Sequence, residues 1–241
     1  MSGSDTLQEM IDGSRRIVFF GGAGVSTESG IPDFRSQDGL YNQQYDYPPE
    51  MILSRSFFEA EPFEFYRFYR DKVLAPDAQP NAAHLKLAEL EQAGKLSDVI
   101  TQNIDGLHQR AGSRRVWELH GSVWRNHCTK CRKAFSLEYV MAADMVPLCD
   151  VCGKIIEPDV VLYEDGLDPE IISGAVAAIR AADMLIIGGT SLVVYPAAGL
   201  VRHFTGSRLA VLNLDGAGSN LRGALVIREP IGKVLAQIVV R

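Results

Sequence analysis

No apolar run in this chain approaches the ~18 residues that a membrane helix needs. The opening residues, Met1-Ser2-Gly3-Ser4-Asp5, lack the basic-then-apolar pattern of an export signal. Both absences lead to the expectation of a cytoplasmic protein without a membrane partner. Basic charge is not in excess either: 24 Lys and Arg against 30 Asp and Glu leave a net charge of −6. That balance disfavours a nucleic-acid binder and suits a basic partner such as a lysine-rich peptide. Internal repeats and low-complexity tracts are missing. Cysteine is scarce, and all 4 cysteines fall in two Cys-x2-Cys pairs. What is present is ordinary for a globular enzyme: 46% hydrophobic and 22% charged residues over 241 positions. This length buries a good core, as one domain with an insertion or as two domains.

The stretch that organises the rest is Gly21-Gly22-Ala23-Gly24-Val25-Ser26-Thr27-Glu28-Ser29-Gly30-Ile31-Pro32-Asp33-Phe34-Arg35. It follows Ile17-Val18-Phe19-Phe20, a short apolar run that reads as a buried parallel strand. Glycines there allow close approach of a ligand, and the following helix start favours a phosphate. By themselves they fit a tight strand-to-helix turn equally well. A dehydrogenase fingerprint is absent: Thr27 stands where the third glycine belongs, and no acidic strand end lies about 20 residues on. Pro32-Asp33-Phe34-Arg35 adds a stiff proline, a carboxylate, an aromatic face and a guanidinium beside the turn.

Along the chain, Thr6–Asp12 reads as a short amphipathic helix and Ser36–Glu61 as a loop, polar and weakly periodic. Pro62–Val73 reads as a helix with an aromatic face, and Ala82–Ala93 as a helix stopped by Gly94. A strand over Asp98–Thr101 runs into Gln102-Asn103-Ile104-Asp105-Gly106-Leu107-His108, polar residues at the sheet edge where ligands bind. Asn103 and Asp105 also suit turn and cap positions. The strand Val116–Leu119 ends in His120-Gly121; the glycine turns the chain and leaves the imidazole at the same edge, with an ordinary pKa suited to a general base. His84 and His108 read as structural. Asp168-Pro169 opens a helix to about Ala181. Strands at Met184–Ile187 and Leu209–Leu212 end in Gly188-Gly189-Thr190-Ser191 and Asn213-Leu214-Asp215. A further helix begins near Pro196, and Leu225–Ile227 with the helix Ile231–Val240 close the chain.

Cys128-x2-Cys131 and Cys149-x2-Cys152 have the spacing of a tetrahedral zinc ribbon. Two disulfides are disfavoured without an export signal. Four thiolates fill the zinc shell, leaving no position for water, so one structural ion is expected. The insert's Lys130, Arg132 and Lys133 are balanced by Glu138, Asp144 and Asp150, too even for a nucleic-acid face.

The alternation of strands and helices predicts an α/β protein, a doubly wound parallel (Rossmann-like) sheet with a smaller zinc-ribbon and helical insertion domain. The expected division is 1–35, 74–120 and 158–241 for the sheet domain, 36–73 for the loop and helical insertion, and 121–157 for the ribbon.

The runs at 21–35 and 101–108, Glu118-Leu119-His120-Gly121, and the Gly-Thr-Ser and Asn-Leu-Asp turns resemble the sirtuins, NAD-dependent protein deacylases, from about Arg16 to the end of the chain. The resemblance implies a protein deacetylase, a transferase that moves the acetyl group of acetyl-lysine to ADP-ribose and releases nicotinamide. It assigns catalysis to His120, Asn103 and Asp105, with His120 taking a proton from a ribose hydroxyl. It assigns NAD contacts to Gly22, Ala23, Gly24, Thr27, Asp33, Phe34, Arg35, Tyr41, Gln102, Asn103, Ile104, Asp105, His120, Gly189, Thr190, Ser191, Asn213, Leu214, Asp215 and Ile231. Phe34, Ile104 and Asp105 would surround the nicotinamide. Val160, Val161, Leu162 and Tyr163 would pair with the acetyl-lysine peptide. The family usually has a basic residue before Pro158 and Gly-Glu or Gly-Asp after the aromatic residue; this chain has Glu157 and Glu164-Asp165. Succinyl- and malonyl-preferring members carry Tyr-x-x-Arg on the helix after the loop. Here Tyr66 is followed by Tyr69 at that spacing, and Arg67 and Arg70 are one residue out of step, expected to face solvent. A monomer is expected. ADP-ribosyl transfer to protein and a non-catalytic NAD-sensing module are the alternatives.

Overall fold

The structure, a computed structural model, describes residues 3–33, 47–218 and 221–241. The expected contacts Phe34, Arg35 and Tyr41, and the loop reading over 36–46, lie outside the described residues.

Helix α1 (Gly3–Asp12) leads into β1 (Ile17–Gly21), every residue of which is buried. Two short 3-10 turns, Ala23–Val25 and Thr27–Ser29, follow the strand directly. Next come α2 (Pro49–Ile52), α3 (Arg55–Ala60) and α4 (Pro62–Phe68), the last continued by a π turn over Tyr69–Val73. The loop reading of 36–61 is therefore corrected over its described part. Pro49 sits in the first turn of α2, and the Ser54 hydroxyl caps α3 by accepting from the Phe57 amide. Burial of Ile52 and Phe58 holds both helices, which are too short to show a 3.6-residue period.

The chain goes on through α5 (Ala82–Gln92), β2 (Leu96–Thr101), α6 (Leu107–Arg110) and β3 (Val116–Glu118). Strands β4 (Gly121–Cys128) and β5 (Ala134–Phe135), helix α7 (Leu137–Ala142) and strand β6 (Ile156–Val160) form the insert. Helix α8 (Pro169–Ala181) starts at the Asp168 cap, whose carboxylate accepts from the Glu170 and Ile171 amides. Strands β7 (Met184–Gly188), β8 (Arg208–Leu212) and β9 (Leu225–Ile227) precede the final helix α9 (Ile231–Ala236). The helix expected near Pro196 is a 3-10 turn, Ala197–His203. The last helix stops short of Val240 because Val239 pairs instead with Gln8: its amide donates to Oε1 at 2.8 Å and its carbonyl accepts from Nε2 at 2.9 Å.

The main sheet has six parallel strands in the order β3-β2-β1-β7-β8-β9. Ile17 and Phe19 pack under α1, α5 and α9, while Val18 and Phe20 pack under α8. Covering both faces explains why β1 reads as an unbroken apolar run, and each large side chain so buried stabilises by roughly 1.5–3 kcal/mol. Strand order reverses between β1 and β7, so the crevice beyond their carboxyl ends is the switch point where such sheets bind ligands. The second sheet is antiparallel, β5-β4-β6, with its own core that includes Phe58, Phe65, Tyr66 and Tyr69.

Candidate active site

At the switch point the Gly24 amide donates to the Gly189 carbonyl at 2.8 Å. A Cβ on Gly24 would stand 2.8 Å from the Gly189 Cα, so the two strand-end turns touch only because both residues are glycine. The turn begins at Ala23, whose amide has no helical acceptor and is oriented by the local geometry of a helix start.

A cavity of about 850 Å³ opens here. Every expected catalytic and NAD-contacting residue among the described ones lines it, from Gly22 and Asp33 through Gln102–Asp105 and His120 to Gly189–Ser191, Asn213–Asp215 and Ile231. Val160, Val161, Leu162 and Tyr163 line its other wall. The two sets approach each other because β4 leaves the main sheet at His120 and β6 returns beside it, the Val161 amide donating to the His120 carbonyl at 3.0 Å. Gly121 makes this possible: its φ is 77°, and a Cβ would lie 2.0 Å from the Asp159 carbonyl oxygen.

Among the described residues, one bond holds the imidazole of His120, Nδ1 to the Gln102 carbonyl oxygen at 3.0 Å. A carbonyl only accepts, so Nδ1 carries the hydrogen and Nε2 keeps its lone pair. Burial lowers the His120 pKa below the usual 6.5, opposed by the bond to Gln102. The ring is therefore neutral at neutral pH, in the tautomer that accepts a proton at Nε2.

Ser26, which sequence reasoning left out of the site, ties its floor together. Its buried hydroxyl donates to Asp105 Oδ2 at 2.6 Å and accepts from Asn103 Nδ2 at 2.9 Å. The other Asp105 oxygen accepts from the Leu107 amide at 2.9 Å, and the Asn103 amide donates to Thr101 Oγ1 at 3.0 Å. The available signal was a hydroxyl inside the glycine-rich run, but nothing local names its partners.

On the β7–β8 side, Thr190 Oγ1 accepts from Gln102 Nε2 at 3.0 Å and from the Leu192 amide at 3.3 Å, so its hydroxyl hydrogen is not used by either bond. Asn213 braces this turn: Oδ1 accepts from the Thr190 amide, and Nδ2 donates to the Thr190 and Ala217 carbonyls. Both amide hydrogens of Asn213 are thus engaged within the protein.

Cys128, Cys131, Cys149 and Cys152 bring their sulfurs within 4.8 Å of one another. The pairs Cys128–Cys152 and Cys131–Cys149 are 3.4 and 3.6 Å apart. Disulfide sulfurs lie ~2.05 Å apart, whereas four thiolates at ~2.3 Å from one zinc lie just under ~4 Å apart. The donor set fits a structural zinc. The Lys130 and Cys131 amides both point at the Cys128 sulfur at 3.4 Å, as donors to a thiolate.

Arg67 and Arg70 lie away from the cavity. Arg67 pairs with Glu64 at 2.6 Å. Arg70 does not face solvent as expected: it lies over the Tyr66 ring and donates to the Val140 and Met145 carbonyls of the insert. Tyr69 lines the cavity, and its buried hydroxyl has no partner among the described residues.

The chain resembles known proteins over nearly its whole length. The profile described as the Sir2 family matches residues 22–196. An NAD-dependent protein deacetylase of Clostridium acetobutylicum is 55% identical over 236 residues, covering 97% of this chain and 96% of the relative. The solved structure of a Sir2 with p53 peptide and NAD+ is 38% identical, with a TM-score of 0.83 over 98% of this chain and 96% of that one. Another, a Sir2 variant with deacetylated p53 peptide and 3′-O-acetyl ADP-ribose, is 36% identical, with a TM-score of 0.87 over 96% and 95% of the two chains.

Proposed function

The chain belongs to the Sir2 family, and we infer from this and from its site that it is an NAD-dependent protein deacetylase. It transfers the acetyl group of acetyl-lysine to ADP-ribose and releases nicotinamide. The observation that carries the reading is the single cavity shared by the β1–β7 switch point, His120 and the 160–163 wall. NAD supplies a C1′–nicotinamide bond whose cleavage leaves an electrophile for the acetyl oxygen.

We propose the following residue roles. The Ala23 amide and the Thr190 hydroxyl, which line the cavity and donate to no acceptor recorded among the described residues, hold phosphate or ribose oxygens. Thr27, Asp33, Ser191, Leu214, Asp215 and Ile231 complete that wall, with Asn213 bracing it. Asp105 and Ile104 receive the nicotinamide; the Asp105 carboxylate is supported by Ser26 and Leu107. Asn103 is held by Ser26 and Thr101 beside them. His120 Nε2 takes the proton of a ribose hydroxyl, supported by the bond that keeps the hydrogen on Nδ1. Val160 to Tyr163 take the peptide. Enclosure between the two sheets positions both reactants and excludes water.

We further propose a cytoplasmic monomer acting on acetyl-lysine segments of proteins, without nucleic-acid or membrane partners. The net charge of −6 supports the first exclusion, and no helix among the described residues is long and apolar enough to cross a membrane. Incubation with NAD and an acetyl-lysine peptide, followed by mass analysis, tests the function. Formation of O-acetyl-ADP-ribose is expected; a protein mass gain of one ADP-ribose without it would favour transfer to protein.

A further inference from the structure

Glu164 stands where the family usually has glycine, and its φ is 79°, in the left-handed region that disfavours a side chain. The conformation is held from outside the loop. Ser56, in the first turn of α3, donates its amide to Glu164 Oε2 and its hydroxyl to Oε1, both at 2.9 Å. Beside it, Arg55 grips Asp165 with two prongs, Nε to Oδ1 at 3.0 Å and Nη2 to Oδ2 at 2.9 Å. The third nitrogen, Nη1, reaches Glu157 at 3.0 Å, so one guanidinium joins a family departure, Glu157, to Asp165, where the family also has a carboxylate. Asp165 Oδ2 also accepts from the Leu162 amide at 3.1 Å, closing the loop on itself. Backbone bonds complete the attachment: the Tyr163 amide donates to the Leu53 carbonyl at 2.9 Å, and the Arg55 amide to the Tyr163 carbonyl at 3.0 Å. The Arg55, Glu157 and Asp165 side chains are only 31%, 16% and 23% exposed, so the fork is partly shielded from water.

We propose that Arg55 and Ser56 are positioning residues for the peptide substrate, holding Leu162–Asp165 in its substrate-ready shape in place of the glycine. The proposal rests on the reading that residues 160–163 take the peptide. A loop ordered in advance loses less freedom when an extended peptide docks against it, and a planar fork on a carboxylate is the side-chain contact best able to impose such order. Lysine at position 55 keeps the charge but not the fork. Neither residue touches the cavity floor at Ser26, Asn103 and Asp105, so NAD binding is independent of the clamp.

Steady-state kinetics of wild type, Arg55→Ala, Arg55→Lys, Ser56→Ala and Glu164→Gly, with melting temperatures alongside, test the idea. Arg55→Ala should raise the peptide KM by about 10-fold, the scale of one charge-assisted contact, while the NAD KM and kcat change by less than about 2-fold. Arg55→Lys should recover only part of the loss. Glu164→Gly should stay near the wild-type peptide KM and make a further Ser56→Ala silent. An unchanged peptide KM in a folded Arg55→Ala protein would overturn the clamp, and so would equal rises in both KM values. Direct binding of a fluorescent acetyl-lysine peptide separates the two readings. Equal binding by wild type and Arg55→Ala defeats the clamp alone, whereas no binding by wild type defeats the peptide-site reading beneath it.

Discussion

His120 Nδ1 and the carbonyl oxygen of Gln102 lie 3.0 Å apart, and this one bond determines which ring nitrogen faces the cavity. Because the acceptor is backbone, the tautomer survives any substitution of the Gln102 side chain. The proposed base works only when neutral, and burial lowers its pKa below 6.5. As pH falls, kcat/KM should hold through 6.5 and decline only below it. His120→Ala should keep NAD binding and lose roughly 100-fold or more in turnover, the scale of a positioned base. An acid limb centred above pH 6.5 would argue against His120.

The rings of His84 and His108 meet edge to face with centroids 4.8 Å apart in the core, and both nitrogens of His108 lack partners among the described residues. Burial drives their pKa values down to about 4 and about 3. Neighbouring Asp105 opposes the shift at His84, and His84 adds to it at His108. In the unfolded chain both take a proton below ~6.5; in the folded chain they stay neutral until far lower pH. The unfolded state therefore binds more protons, and stability falls as pH drops from ~6.5 toward ~4. With two protons involved, the slope approaches ~2.7 kcal/mol per pH unit. Urea titrations at pH 7.5, 6.5, 5.5 and 5.0 should show a steady midpoint above pH 7 and a steep fall below 6; a flat profile would contradict buried neutral imidazoles.

Zinc content is expected at one ion per chain. Cys128→Ser or Cys149→Ser should release it and loosen the small antiparallel sheet, because in such ribbons metal-binding free energy is folding free energy. Elemental analysis with near-ultraviolet circular dichroism reads both effects. A metal-free native protein carrying disulfides would refute the ribbon.

Acetyl-lysine should be preferred over succinyl-lysine by roughly 10- to 100-fold in kcat/KM. Arg67 is paired with Glu64 and Arg70 is docked on the insert, so neither meets a carboxylate entering beside Tyr69. Burial raises the Tyr69 pKa well above 10 and keeps the phenol neutral. A charge-assisted hydrogen bond is worth ~1.5–3 kcal/mol, and its absence sets the expected ratio. Lys72 also lines the cavity, tied to Asp71 at 3.1 Å. Equal turnover of matched acetyl and succinyl peptides, lost again in Lys72→Met, would assign that lysine to the acyl carboxylate.

Features made by neighbours in sequence were legible without a structure. The run Ile17–Phe20 signals a strand buried on both faces, Asp168-Pro169 starts a helix through its own carboxylate and ring, and paired Cys-x2-Cys spacing matches a tetrahedral ion. Each depends on chemistry contained within a few residues. Helices α2 and α3 escaped the pattern because they are too short to show a helical period, and burial of Ile52 and Phe58 adds to their local starts at Pro49 and Ser54. Ser26 reaches Asp105 across 79 positions and Arg55 reaches Asp165 across 110; no local preference of serine or arginine names those partners. The departure at Glu164 was visible as a residue, but how its backbone is held was not. Only the tertiary structure could decide that, because a side chain in left-handed backbone is tolerated where hydrogen bonds from another element hold it there.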